Sequence, residues 1–154
     1  MLENGLSLDI GAGEKPRGDI NVDVRLLPRI NVLCDALHLP FKDNIFDQVF
    51  MSHVIEHFRY KDVITLLSEV NRVLKVKGKV ELWLPNFQSF DFLNTWLTGW
   101  DGSHMVVPVL YPPLSGLQDY YENVHMSQWS VELLKKYLSN QGFEIKYAKG
   151  EGKY

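Results

Sequence analysis

Leu6-Ser7-Leu8-Asp9-Ile10 alternates apolar and polar side chains and then stops at Gly11-Ala12-Gly13. A two-residue period belongs to a strand, and glycines after it mark a tight turn. The same pattern predicts strands at residues 19–24, 30–34, 46–51, 79–84 and 143–148. Between the fourth and fifth, Val63, Leu66, Leu67, Val70, Val73 and Leu74 recur at spacings of three and four. That spacing puts them on one face of a helix. Lys75 and Lys77 suit the negative end of its dipole, and Gly78 is read as its stop. A second helix starts at Ser130 as N-cap, carries Leu133, Leu134, Tyr137 and Leu138 on one face, and ends at Gly142.

Strands alternating with helices predict an α/β fold, a Rossmann-like, mostly parallel sheet of about six strands with helices on both faces. Ligands of such sheets bind at the carboxyl ends of the strands, and the polar motifs of this chain fall at those ends. Residues 87–129 break the pattern. They hold nine of the 19 aromatic residues, together with Pro108, Pro112 and Pro113. Ser89 is placed to cap a short helix over 89–98, and the remainder reads as a long loop. Long loops inside a domain usually serve as lids or binding loops. Residues 1–154 are therefore read as a single domain, with 87–129 as an aromatic-rich lid or substrate segment.

Composition narrows the class. The 154 residues are 45% hydrophobic and 23% charged, ordinary for a folded soluble chain and unlike a long disordered one. A net charge of −3 argues against a basic nucleic-acid-binding domain. No run approaches the ~18 apolar residues of a membrane span, and Met1–Gly5 lacks the build of a signal peptide. Cys34, the single cysteine, makes no internal disulfide and no multi-cysteine zinc site. A reducing cytoplasm is the expected location. Lys15, Arg17, Arg25 and Arg29 make the first quarter locally basic, an expected solvated surface that could also hold an anionic substrate.

Three acids stand at three successive strand ends. Asp9 precedes the glycine turn, where a backbone without side chains lets a ligand approach. Asp23 can accept two hydrogen bonds from ribose hydroxyls. Asp35-Ala36 offers acceptors for an exocyclic amine, with Leu37 and Leu39 placed to flank an adenine. A dinucleotide site is not expected, because its fingerprint needs G-x-G-x-x-G and an acid ~20 residues on. Here Pro16 stands at the third glycine, while Asp23 and Asp35 follow Gly11 by 12 and 24 residues. With little room for a helix after Gly13, a pyrophosphate has no helix N-terminus to sit on. The pattern suits one nucleoside without phosphates.

His53-Val54-Ile55-Glu56-His57 also fits the H-x-x-E-H pattern of some zinc peptidases. If helical, His53 and His57 share a face, and His104 or His125 could add a third ligand. The motif directly follows a strand, however, so no metal is expected.

Taken in order, three blocks resemble the class I methyltransferases that use S-adenosylmethionine: Leu8-Asp9-Ile10-Gly11-Ala12-Gly13, Val22-Asp23-Val24, and Cys34-Asp35-Ala36-Leu37-His38-Leu39-Pro40-Phe41. Residues 43–49, Ser52-His53-Val54-Ile55-Glu56-His57, residues 69–79 and His125-Met126-Ser127-Gln128-Trp129-Ser130 continue the match. The resemblance implies S-adenosylmethionine as cofactor. Asp9, Gly11, Ala12 and Gly13 would hold its methionine part and Asp23 its ribose. Asp35, Ala36 and Leu37 would hold the adenine, with Ser52 and His53 lining the site.

Two departures stand out. Glu14-Lys15-Pro16-Arg17-Gly18 replaces the family's helix after the glycine turn, and the family's final antiparallel strand is not expected within residues 1–154. An exposed sheet edge of that kind favours pairing with a second copy. The implied reaction moves a methyl group to O or N of a small molecule or glycan precursor. Proximity supplies much of the acceleration, and His53, Glu56, His57 and His125 are candidate bases. The alternatives are a non-catalytic nucleoside-binding regulatory module and, third, a zinc hydrolase.

Overall fold

The computed structural model describes residues 5–85 and 124–148. Five strands run β1 (Ser7–Ile10), β2 (Ile20–Asp23), β3 (Val32–Leu33), β4 (Phe46–Ser52) and β5 (Leu74–Trp83). Their order across the sheet is β3-β2-β1-β4-β5, and every neighbouring pair is parallel. The α/β reading holds. A 3₁₀ turn (Ile55–His57) and helix α1 (Tyr60–Val73) connect β4 to β5, and α2 (Val131–Asn140) lies near the C-terminus.

Register explains which side chains are buried. Leu8 pairs with Ile20 and Val49, Ile10 with Val22 and Met51, and Val49 and Met51 with Val80 and Leu82. Side chains two apart share a face, so these residues form one apolar surface. Against it α1 buries Val63, Leu66, Leu67, Val70 and Val73, the face its periodicity predicts. Helix α2 packs beside α1, with Tyr137 against Tyr60 and the buried Trp129, and the Asn71 amide donates to the Gln141 carbonyl. Its ends match the sequence reading. Ser130 Oγ accepts from the Leu133 N–H, and Gly142 turns left-handed at φ +83°. Phe143 N–H donates to the Leu138 carbonyl and Gly142 N–H to that of Ser139, the paired bonds of a Schellman end.

The other face carries Ser7, Asp9, Asn21, Gln48, Phe50, Lys79 and Glu81. Arg17 crosses it, donating to Glu81 at 3.2 Å and stacking over the Phe50 ring at 4.8 Å. Parallel sheets buried on both sides read as continuous apolar runs; the alternation in β1, β4 and β5 reflects this polar second face.

Three expectations are corrected. Helix α1 ends at Val73, not Gly78, and β5 begins at once with Leu74. The Arg72 and Val73 carbonyls accept from the N–H groups of Asn44 and Ile45, so the helix end is closed by a distant loop. Residues 75–78 then bulge out, since Leu74 pairs with Phe46 while Lys79 already pairs with Gln48. Second, residues 143–148 form no strand. Their alternation survives as a half-buried Phe143 and Ile145 between exposed neighbours, but they enter no ladder, and five strands are present among the described residues. Third, Arg25 is part-buried against the buried Asp23 instead of solvated, whereas Arg17 is exposed as expected while it pairs with Glu81. The proposed helix over 89–98 and the lid up to residue 123 lie outside the described residues. No described helix is long and apolar enough to cross a membrane.

Candidate functional site

Because all strands run parallel, their carboxyl ends meet at one edge of the sheet. At the end of β1, Gly11 and Gly13 both take left-handed conformations, φ +62° and +58°. A Cβ on Gly11 would lie 2.6 Å from Val54 Cγ2, so the turn packs directly on the residue that follows His53. The Ala12 N–H donates to the Val22 carbonyl, and Gly13 N–H donates to Asp23 Oδ2 at 3.0 Å. The glycine turn is thus held on β2 by the acid predicted to receive a ribose. Asp23 is only 5% exposed. Its Oδ1 accepts from the Arg25 backbone N–H at 2.9 Å, and the Arg25 guanidinium reaches Oδ1 and Oδ2 at 3.2 and 3.4 Å.

Asp9 is buried on the polar face, where Oδ2 accepts the Arg17 N–H at 2.8 Å. Burial pushes its pKa up, partly offset by that N–H and the Arg17 charge. It anchors the return of the loop at residues 14–18, where no helix forms. Past β3, Asp35 Oδ1 accepts from the Leu37 N–H, a turn that sets Ala36 inward and half-buries Leu37. Burial and the neighbouring Asp35 raise the Cys34 thiol pKa, so it is a poor thiolate.

Past β4, His53 sits in a left-handed conformation, φ +55°, with its N–H donating to the Trp83 carbonyl. Non-glycine residues held there cost about 1–3 kcal/mol and gather at functional sites. The bend removes the helical spacing that the H-x-x-E-H pattern assumes. His53 and His57 do not share a helix face; only Ile55–His57 forms a turn. Instead His53 Nδ1 meets Glu56 Oε1 at 3.1 Å. Glu56 is 2% exposed, and its Oε2 has no hydrogen-bond partner.

The chain returns to this turn at residues 124–129. The Glu56 carbonyl accepts from the N–H groups of Met126 and Ser127, and Ser127 Oγ receives the Trp129 indole N–H. His57 Nδ1 lies 3.2 Å from the Val124 carbonyl, and its ring stacks edge-on against His125 at 5.0 Å. Burial lowers the pKa of His57, keeping it neutral near pH 7.

The structure therefore gathers Asp9, Gly11, Ala12, Gly13 and Asp23 around one turn, and His53, Glu56, His57 and His125 around another. Val54 joins the two turns. Asp35, Ala36 and Leu37 stand at the next strand end, and Ser52 ends β4. His104 lies outside the described residues. Sequence reasoning missed Arg25 as the partner of Asp23, although i,i+2 spacing after a strand was a usable signal. It also missed Val54, whose approach to Gly11 has no local trace. Glu69 and Arg72 were missed as well. They link α1 to the loop after β3, Arg72 donating to Glu69, Asp43 and the Leu39 and Phe41 carbonyls.

Residues 8–82 match the family described as Methyltransferase domain. Over 123 residues the chain is 33% identical to a ubiquinone/menaquinone biosynthesis C-methyltransferase of Paraburkholderia xenovorans, covering 75% of this chain and 47% of that protein. It is 37% identical over 75 residues to an uncharacterized protein of Methanocaldococcus jannaschii, 46% of this chain and 32% of that one. The chain thus spans about a third to a half of these curated relatives. Among solved structures, a SAM dependent methyltransferase from Archaeoglobus fulgidus superposes with a TM-score of 0.63 at 23% identity, over 92% of this chain and 62% of that one. A SAM-dependent methyltransferase from Thermotoga maritima gives 0.61 at 21%, over 94% and 67%. At these identities the structural likeness establishes the fold.

Proposed function

We propose that the chain, whose residues 8–82 match the family described as Methyltransferase domain, transfers a methyl group from S-adenosylmethionine to O or N of a small molecule or glycan precursor. The observation that carries this reading is the buried Asp23 carboxylate bonded to the left-handed glycine turn of the neighbouring strand. That arrangement fits the group. The turn carries no side chain larger than the Ala12 methyl, leads into no helix that would seat a phosphate, and stands beside a carboxylate suited to paired ribose hydroxyls.

Asp9, Gly11, Ala12 and Gly13 are assigned to the methionine portion, Asp23 to the ribose, and Asp35, Ala36 and Leu37 to the adenine. Ser52 and His53 line the end of β4. When bound, the cofactor supplies a sulfonium methyl already activated for displacement, so the protein's task is alignment and removal of a proton. His53 is assigned as the base. A carboxylate at Nδ1 makes that nitrogen the N–H and Nε2 the proton acceptor, and Glu56 then steadies the imidazolium. His57 and His125 stand behind this pair. Residues 87–129 are assigned to the acceptor, and 1–154 are read as one domain.

Two measurements test the reading. Calorimetric titration with S-adenosylhomocysteine should show one site that Asp23→Ala weakens. Transfer of labelled methyl to a panel of hydroxyl and amine acceptors should fall in His53→Gln by far more than cofactor affinity does. Since a relative is named a C-methyltransferase, the panel includes activated carbon acceptors. Turnover on carbon alone would replace the O or N assignment. Binding without turnover on any acceptor would favour a regulatory nucleoside-binding module. Absence of binding would sink the proposal.

A further inference from the structure

Glu56, His57 and His125 each offer one donor atom, and these atoms all lie within 4.8 Å of one another. They come from two chain segments, the turn after β4 and residues 124–129, and backbone bonds from Met126 and Ser127 to the Glu56 carbonyl already lock the segments together. A second feature marks one of the three residues. Glu56 is 2% exposed, and its Oε2 is the one fully buried side-chain atom without a hydrogen-bond partner among the described residues. A buried carboxylate oxygen without a donor costs free energy unless a cation or a proton meets it.

We propose that Glu56, His57 and His125 bind one first-row divalent transition-metal ion of the Zn²⁺ class. Two imidazoles and one carboxylate are a donor set for such ions and not for Mg²⁺ or Ca²⁺, which take oxygen ligands. With bonds of about 2.0–2.1 Å, tetrahedral donors stand about 3.3 Å apart. The donors have to close from up to 4.8 Å, on backbones that the Met126 and Ser127 bonds to Glu56 already hold together. The outer contacts are those that metal-bound histidines and carboxylates show. His57 Nδ1 donates to the Val124 carbonyl, which leaves Nε2 as the lone-pair nitrogen, and Glu56 Oε1 is oriented by His53. Three protein donors leave the fourth position to water. The ion ties the turn below His53 to the segment that follows residue 123, and so positions Glu56 for its contact with His53. This trio differs from the H-x-x-E-H set, since His53 bonds to the carboxylate and takes no part in it.

The test uses the full chain, stripped with chelator and titrated separately with Zn²⁺, Co²⁺ and Mg²⁺. No cofactor or methyl acceptor is needed, so the outcome is independent of the methyltransferase reading. The expected result is one Zn²⁺ or Co²⁺ per chain, a visible Co²⁺ ligand-field band of nitrogen and oxygen ligation, and a raised melting temperature. Mg²⁺ gives none of these. His125→Ala, half-buried and checked for folding by circular dichroism, and Glu56→Gln should each weaken binding by at least about 100-fold. Cys34→Ser should leave it unchanged. The proposal is overturned if no ion is retained, if folded His125→Ala binds as tightly as the parent chain, if Mg²⁺ competes equally, or if Cys34→Ser abolishes binding.

Discussion

Replacing Asp23 probes the proposed cofactor site most directly. Its carboxylate is 5% exposed and already satisfied by the Gly13 and Arg25 N–H groups, with the Arg25 guanidinium at 3.2 and 3.4 Å. Two ribose hydroxyls bonding to a buried carboxylate are worth about 1.5–3 kcal/mol each. Against that stands the displacement of the guanidinium, whose long, part-exposed contact is worth about 0–1 kcal/mol. The balance is a loss of roughly 2–6 kcal/mol in Asp23→Ala, or about 30- to 20,000-fold in affinity. Asp23→Asn keeps one acceptor oxygen and should fall at the lower end. Arg25→Ala removes the competitor and should leave affinity equal or tighter. Calorimetry with S-adenosylhomocysteine reads all three, with circular dichroism confirming folding. Wild-type affinity in a folded Asp23→Ala would refute the assignment. Weakened binding in Arg25→Ala would show that the arginine helps hold the ligand instead of competing with it.

Three further outcomes are expected. Gly11→Ala forces a side chain at φ +62° to within 2.6 Å of Val54 Cγ2; it should cost about 1–3 kcal/mol in urea unfolding and depress cofactor binding, and an unchanged midpoint would contradict the close approach. Arg72→Ala removes donors to Glu69, Asp43 and two loop carbonyls and should cost about 2 kcal/mol, read as a fall of about 1 M in urea midpoint. Glu69 is held below its ordinary pKa chiefly by Arg72, so this contribution is present above the unfolded value and fades as pH falls through the lower folded one; Arg72→Ala should converge on the parent chain in acid. Asp9 has the opposite sign, since burial raises its pKa and ionisation therefore works against the fold as pH rises. Asp9→Asn, which keeps an acceptor for the Arg17 N–H, should be the more stable protein at pH 7 and lose that advantage in acid, and a variant less stable than the parent at pH 7 would contradict it.

The parts of this fold legible in sequence are those whose cause is local. Leu8 and Ile10 alternate with Ser7 and Asp9 because one face of β1 is apolar and the other polar, and the five-residue motif carries that fact alone. Ser130 and Gly142 announce α2 because each acts on its own helix end. The end of α1 was not legible. The Leu74–Lys77 stretch continues the helical spacing, but Asn44 and Ile45 take the last carbonyls from across the molecule. The same holds at the site. Acids at strand ends were visible, while the pairing of Asp23 with Arg25, the contact of Gly11 with Val54 and the meeting of Glu56 with His125 arise only when the sheet forms. His53 misled most, because its left-handed bend turns a helical spacing into a different set of neighbours. Phe143, Ile145 and Tyr147 alternate correctly for a strand, but alternation specifies a face and not a partner edge.

One suture described above bears on how such a protein changes over time. The segment between β5 and Val124 is fastened at both ends to the exit of β4, through Trp83 to His53 and through Met126 and Ser127 to Glu56. A stretch so bracketed behaves as a cassette. Doubling the length of a connection between fixed points adds only about 0.6 kcal/mol of closure entropy, so an exchange there leaves in place the strand ends to which the nucleoside is assigned. Under the assignment proposed for residues 87–129, acceptor preference would diverge by grafting between two fixed staples, while the strand ends assigned to the methyl donor stay as they are.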